Sequence, residues 1–292
     1  MSRNNNNGNG NTPNLNAVLV ALSIRTFSNQ RQDRAITDDV KLRKALGQGA
    51  GKWVKYKLPD ECLTPIRKFC GIVRQFHYDH TSPWDEGQRL LSGKARLGYD
   101  ARMVEFREEY EKLVNEFGEQ YPNWIEQARI MHAGTFDQSD YPAWENCRAM
   151  FGISASYYPV PKPEHFSGEM KELYGNALVA ITEKKVGEAV QDAWDRLLKP
   201  VQAMAEKLSS PDSIFRDSLV ENVREMTALI PELNLTNDTG LTEAADTITK
   251  ALNNLNAETL RESKVERKAA AEAAKDILNR FGGLGKRKLV NN

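Results

Sequence analysis

Leu173-Tyr-Gly-Asn-Ala-Leu-Val-Ala-Ile181 and, further on, Ala189-Val-Gln-Asp-Ala-Trp-Asp-Arg-Leu-Leu198 decide the fold class. Leu173, Tyr174, Ala177, Leu178 and Ile181, then Ala189, Val190, Ala193, Trp194, Leu197 and Leu198, recur at three and four residues, the period of a helix face. The spacing predicts one helix of more than 30 residues over about 164–208. Val201, Met204 and Leu208 resume the stripe beyond Pro200, which is expected to kink or break the helix because proline has no amide to donate.

The same period runs through most of the chain. Leu219, Val223, Met226 and Ile230 mark a helix, and a polar turn at 234–240 separates it from Leu241, Ala245, Ile248 and Leu252. A last helix over about 257–281 meets Gly282-Gly283, a common stop. Upstream, Ile66, Phe69, Cys70, Val73, Phe76, His77 and His80 lie on one face of a single helix. Asp100 is placed to cap a long helix carrying Met103, Phe106, Tyr110, Leu113, Val114 and Phe117. Tyr121-Pro122 and Tyr141-Pro142 each put proline where a short helix opens, the first with Trp124, Ile125 and Ala128, the second with Trp144, Cys147 and Phe151.

Three stretches alternate with the two-residue period of half-buried strands, at about 17–27, 52–58 and 153–160. In the second, Val54, Tyr56 and Leu58 are expected to face inward, opposite Trp53, Lys55 and Lys57. A short helix between the first two is read from Asp38 or Asp39 as cap, Val40, Leu42 and Leu46 as stripe and Gly47 as stop. The first and third strands are expected to be neighbours, since each needs a partner. The expected fold is mainly α, a long helical bundle or helical hairpin, coiled-coil-like, with a small two- to three-stranded sheet at one end. Along the chain this divides into an Asn-rich disordered tail (1–16), a mixed α/β head (17–163), a long-helix bundle (164–282) and a basic flexible tail (283–292).

The chain has 292 residues with 40 Lys+Arg against 40 Asp+Glu, enough apolar material for a packed core and no net charge to suggest a partner. The balance hides an asymmetry: residues 1–100 carry +7, residues 101–285 carry −10, and Lys286, Arg287 and Lys288 restore zero. Three unevenly spaced cysteines, Cys62, Cys70 and Cys147, do not make a disulfide framework, so free thiols in a reducing compartment are expected. The longest uncharged apolar run, 17–24, is far shorter than the roughly 20 residues that span a bilayer. The expected location is the cytoplasm, with no membrane partner.

Motifs with a definite chemistry fail on spacing or context. Gly47-Gln-Gly49-Ala-Gly51-Lys52 lacks both the upstream glycine and the Ser or Thr of a phosphate loop, and is read as a connection between helix and strand. Cys62, Cys70, His77 and His80 fit no closed zinc site. His77 instead reads as a histidine at the edge of the core, whose replacement by Leu costs no more than about 1.5 kcal/mol. Gly152-Ile-Ser154-Ala-Ser156 lacks the last glycine of a nucleophile elbow. No catalytic residue, cofactor or metal is assigned. The basic segment offers an alternative, nucleic-acid binding by Arg43, Lys44, Lys52, Trp53, Lys55 and Lys57 with Lys286, Arg287 and Lys288. On that reading Lys55 and Lys57 form a solvated strand face, and reversing their charge spares the fold.

Val20-Ala-Leu-Ser-Ile-Arg-Thr-Phe27, Trp84-Asp-Glu-Gly-Gln-Arg-Leu-Leu91, the acidic helix ending at Tyr121-Pro-Asn-Trp124, and Phe151-Gly-Ile-Ser-Ala-Ser-Tyr-Tyr-Pro-Val-Pro161 together resemble the domain-of-unknown-function 3150 family of bacteria and bacteriophages, over about residues 15–255. The resemblance implies no active site. It implies an accessory or adaptor protein working beside a MoxR-type AAA+ ATPase and a von Willebrand A-type protein. The expected function is non-enzymatic, through contact of the long helix over 164–208, whose stripe is longer than a compact domain requires, with such an ATPase or with a copy of itself.

Overall fold

The computed structural model describes residues 15–210, 213–252 and 254–284. It is 67% helical, which sets the class as mainly α, with a small antiparallel sheet of four strands and a separate ribbon of two. No helix among the described residues is long and apolar enough to cross a membrane. The described chain divides into two compact units, one of residues 15–21, 77–99 and 157–284, the other of residues 22–76 and 100–156. The chain leaves and re-enters each unit.

Strand β1 (Ala17–Arg25) pairs antiparallel with β5 (Gln88–Ser92), Val18 opposite Leu91, and β5 pairs with β4 (Ser82–Asp85). The sheet order is β4-β5-β1-β6, with β6 at Gly152–Pro159, so the first and third predicted strands are neighbours. The expected sheet of two or three strands becomes four because the β4-β5 hairpin was not anticipated. Gly87, at φ 75°, makes the tight turn that joins them, and the register shifts between Pro83 and Asp85.

Helix α5 (Gly168–Ser209) runs unbroken through Pro200. Leu197, Val201 and Met204 are buried on either side of the proline, and this packing outweighs the roughly 3 kcal/mol that proline costs in a helix interior. The C-terminal half of α5 shares a core with α6 (Ser218–Leu233), α7 (Thr239–Leu252), α8 (Ala257–Glu262) and α9 (Lys264–Phe281), in which Trp194, Val223, Ile248 and Phe281 are buried together. The single helix expected over 257–281 is two, because the Ser263 side chain caps α9 by accepting from the Glu266 amide. A smaller core joins the sheet to α5 through Leu19, Trp84, Leu90, Val186 and Ala189. Leu15 belongs to it, and the Asn16 carbonyl accepts from the Gly93 amide, so the predicted N-terminal tail reaches two residues too far. The rest of that tail and residues 285–292 lie outside the described residues.

The second unit is built on α2 (Thr64–Asp79) and α3 (Arg96–His132). Ile66, Phe69, Cys70 and Val73 on α2 and Met103, Phe106, Tyr110, Val114 and Phe117 on α3 are buried, as their spacing predicts, and Phe69 meets Phe106 edge to face at 5.8 Å between ring centres. Four helix boundaries differ from expectation. Helix α2 stops at Asp79, leaving His80 outside it. Helix α3 begins before Asp100, where Ser92 Oγ accepts from the Ala95 amide, and continues through Pro122 without reopening. Helix α1 (Arg34–Arg43) is capped by Asp33, not Asp38 or Asp39, and its supposed stripe of Val40, Leu42 and Leu46 is exposed while Thr37 is buried.

Gly118 is the tightest approach in this unit. A Cβ there would overlap the Trp144 indole of α4 (Trp144–Arg148), and that ring is held against Phe117 and Tyr121. Gly118→Ala should therefore lower stability by about 1–3 kcal/mol despite alanine's better helix propensity. Gly71→Ala in α2, where a Cβ would meet nothing within 4 Å, should raise it by about 0.5–1 kcal/mol. Urea unfolding of the two variants gives the two signs.

Candidate interaction surface

Residues 168–189 of α5 present two faces, one buried and one exposed, whose centres stand roughly 130° apart around the helix. At about 100° per residue, Gly175, Thr182, Val186 and Ala189 fall on one side, and all four are buried. Met170, Leu173, Tyr174, Ala177 and Ile181 fall on the other. Met170 is 50% exposed, Leu173 69%, Tyr174 52% and Ile181 54%, and Ala177 is exposed with them. A helix that only covers its own core would carry polar residues there. Charges border the stripe: Glu169 at its start, Lys184 and Lys185 at its end, both lysines near Glu188 at 3.9 and 3.5 Å.

The basic segment is arranged otherwise than its alternation suggests. Strand β2 (Gln30–Gln32) pairs antiparallel with β3 (Val54–Tyr56), setting Arg31 directly opposite Lys55. Like charges in that position destabilise a ribbon unless a counter-charge joins them. Asp140 is that counter-charge. Its side chain is 2% exposed, it pairs with Arg31, and Lys55 Nζ stands 2.8 Å from its Oδ2, with the Lys55 side chain 9% exposed. Burial alone would raise the Asp140 carboxyl, but Lys55 and Arg31 outweigh it and hold it below the usual carboxylate range. Lys57 also turns inward. Its Nζ lies 4.2 Å from the centre of the Phe27 ring, and burial lowers its pKa.

The face of β3 is thus the reverse of the expected one: Val54 and Tyr56 are exposed and the lysines face the protein, because a buried carboxylate requires a cation more than the ribbon requires a valine inside. This ribbon is separate from the four-stranded sheet. Of the residues named for nucleic-acid contact, Arg43, Lys44, Lys52 and Trp53 are exposed, Arg43 beside Asp39 at 2.8 Å, whereas Lys55 and Lys57 are engaged within the fold. Lys286, Arg287 and Lys288 lie outside the described residues. Exposed Tyr56, Ile130 and Met131 also line a shallow apolar groove of about 510 Å³.

The histidines and cysteines do not converge. His77 is buried and its Nδ1 is hydrogen-bonded with the Tyr99 hydroxyl at 2.8 Å, while His80 Nδ1 lies 2.7 Å from Glu232 Oε2. Cys62, Cys70 and Cys147 are free and buried, and burial pushes the Cys62 thiol up to about 12 and that of Cys147 to about 11. Among the described residues no three His, Cys, Asp or Glu side chains are grouped to hold a metal.

No family model, no curated protein and no solved structure matches this chain.

Proposed function

We propose that this is a non-enzymatic accessory protein, of a bacterium or bacteriophage and working in the cytoplasm, that acts by binding another protein through the N-terminal half of α5. The observation that carries this reading is the exposed stripe Met170, Leu173, Tyr174, Ala177 and Ile181, on a different face from the one that α5 buries in its own unit. Contiguous exposed apolar surface on a helix marks a site of association more often than a free surface. On this reading helices α5 to α9 form a helical bundle from which the first turns of α5 present that stripe. The resemblance to the domain-of-unknown-function 3150 family supports a MoxR-type AAA+ ATPase with its von Willebrand A-type protein as partner, and the length of the α5 stripe supports a second copy of the chain as the other. The engagement of Lys55 and Lys57 inside the fold favours this reading over nucleic-acid binding, since it ties two of that surface's cations to partners within the chain.

Affinity capture from the native host, read by mass spectrometry, tests the proposal. Leu173→Glu with Ile181→Glu should keep stability within about 0.5 kcal/mol of wild type when measured at high dilution, as surface substitutions do, and should lose the captured partner. Recovery of the wild-type chain as a lone monomer with a hydrolytic or transferase activity would contradict it.

A further inference from the structure

We propose that the α5 stripe is covered by the same stripe of a second copy of this chain, the two helices antiparallel about a two-fold axis at Ala177. The inference rests on the reading of this stripe as an association surface and specifies its occupant. It is carried by the order of side chains along the helix. Leu173 and Ile181 stand four residues to either side of Ala177, about 6 Å along the axis in each direction. A two-fold through Ala177 therefore sets Leu173 against the partner's Ile181, and Ile181 against the partner's Leu173.

The ends of the stripe match as well. Met170 comes opposite the partner's Lys184, whose methylene stem can lie on it, and Glu169 comes beside the same lysine's ammonium. Lys184 is 75% exposed in its side chain, and its 3.9 Å separation from Glu188 does not hold it away from such a contact. Parallel pairing in register fails the same comparison, since it stacks Glu169 on Glu169 and Lys184 on Lys184, like on like. At the crossing point Ala177 presents only a methyl group, which lets two helix axes approach to about 8 Å, the close end of the usual range. The interface is isologous and closed, so it stops at two chains. The stripe from Met170 to Ile181 is about 16 Å long, too small for the ~800 Å² per partner of a standard stable complex, so the dimer should dissociate on dilution.

Cysteine cross-linking of the full chain tests both partner and direction. Ala177→Cys places the new thiols of two chains at the axis, facing each other, and mild oxidation should convert the 33.0 kDa chain to a disulfide-linked species of twice that mass. Cys62, Cys70 and Cys147 do not compete, being buried thiols. Glu183→Cys, exposed but six residues from the axis, would put the two thiols about 18 Å apart and should stay monomeric under the same oxidation. Light scattering of the unmodified chain should show mass rising with concentration toward twice 33.0 kDa, and Leu173→Glu with Ile181→Glu should hold it at one chain.

A monomer at every concentration with no Ala177→Cys cross-link overturns the second copy as occupant. If the Leu173→Glu and Ile181→Glu chain then still loses its partner in the capture experiment, the association surface stands and its occupant is another protein. If it loses nothing, both readings fall. Cross-linking of Glu183→Cys as readily as Ala177→Cys would overturn the antiparallel arrangement.

Discussion

Lys55→Glu is expected to destabilise the second unit by about 3–5 kcal/mol, a large part of the stability of an ordinary domain. The side chain of Asp140 is 2% exposed and Lys55 is the nearer-buried of its two cations, so the substitution sets a second carboxylate beside a buried first. Arg31 cannot make up the loss from a position that is itself half exposed. Replacing both members, Lys55→Met with Asp140→Leu, should recover most of the stability, because a buried pair exchanged for apolar side chains is often close to neutral. Arg43→Glu on α1, where the pair with Asp39 is exposed, should change stability by less than about 1 kcal/mol. Urea unfolding monitored by circular dichroism ranks the three. A Lys55→Glu chain as stable as wild type would mean that Lys55 is solvated, and the reading of the basic segment as a nucleic-acid surface would regain its centre.

The second large effect is acid sensitivity from His77. Burial, with Arg89 nearby, pushes its pKa down to about 4 from an ordinary 6.5. In the unfolded chain the imidazole takes a proton as pH falls through the ordinary value, while in the folded chain it stays neutral until about pH 4. Between these limits the unfolded state binds more protons, so stability must fall as pH falls, by about 3 kcal/mol over the whole window. His77→Leu should remove that slope. It should also lower stability at neutral pH by about 1–3 kcal/mol, since leucine fills the space but gives up the buried bond with the Tyr99 hydroxyl. That exceeds the cost expected for an exchange of similar volume alone. Equal slopes in wild type and His77→Leu between pH 6.5 and 4 would show that His77 is hydrated.

Helical periodicity was a sound guide wherever one face of an element is buried. The stripes of α2, α3, α6 and α7 were legible because each packs a single side, and β1 and β6 were legible as strands from alternation in the sequence. It failed where a tertiary partner set the outcome. The polarity of β3 depends on Asp140, some 85 residues away, and nothing local in Val54-Lys-Tyr56 announces it. Pro122 and Pro200 looked like boundaries because local cost was weighed without the packing that offsets it. The hairpin of β4 and β5 was hidden because β5 buries Leu90, Leu91 and Ser92 in succession and so does not alternate, although Asp85-Glu-Gly-Gln88 held a turn signal.

The exposed stripe of α5 was visible in the sequence, but its face was not. Leu173, Tyr174, Ala177 and Ile181 follow the helical period among themselves, as Ala189 and Ala193 do, yet at 100° per residue the two sets are centred on different faces of α5, with Leu173 about 160° from both alanines. A change of phase of that size within one helix has a physical meaning: the helix has two apolar faces and its own unit buries one.

Hydroxyl-radical footprinting of the full chain in its native host, against the purified chain at high dilution, tests that conclusion most directly. Methionine, tyrosine and leucine react readily when exposed, so Met170, Leu173 and Tyr174 report on the stripe, with Leu42 on α1 as an exposed reference. The account predicts that the three are modified in the diluted chain and shielded in the host while Leu42 reacts in both. Equal modification of Met170, Leu173 and Tyr174 in the two conditions would show the stripe bare where the protein works, and would contradict it.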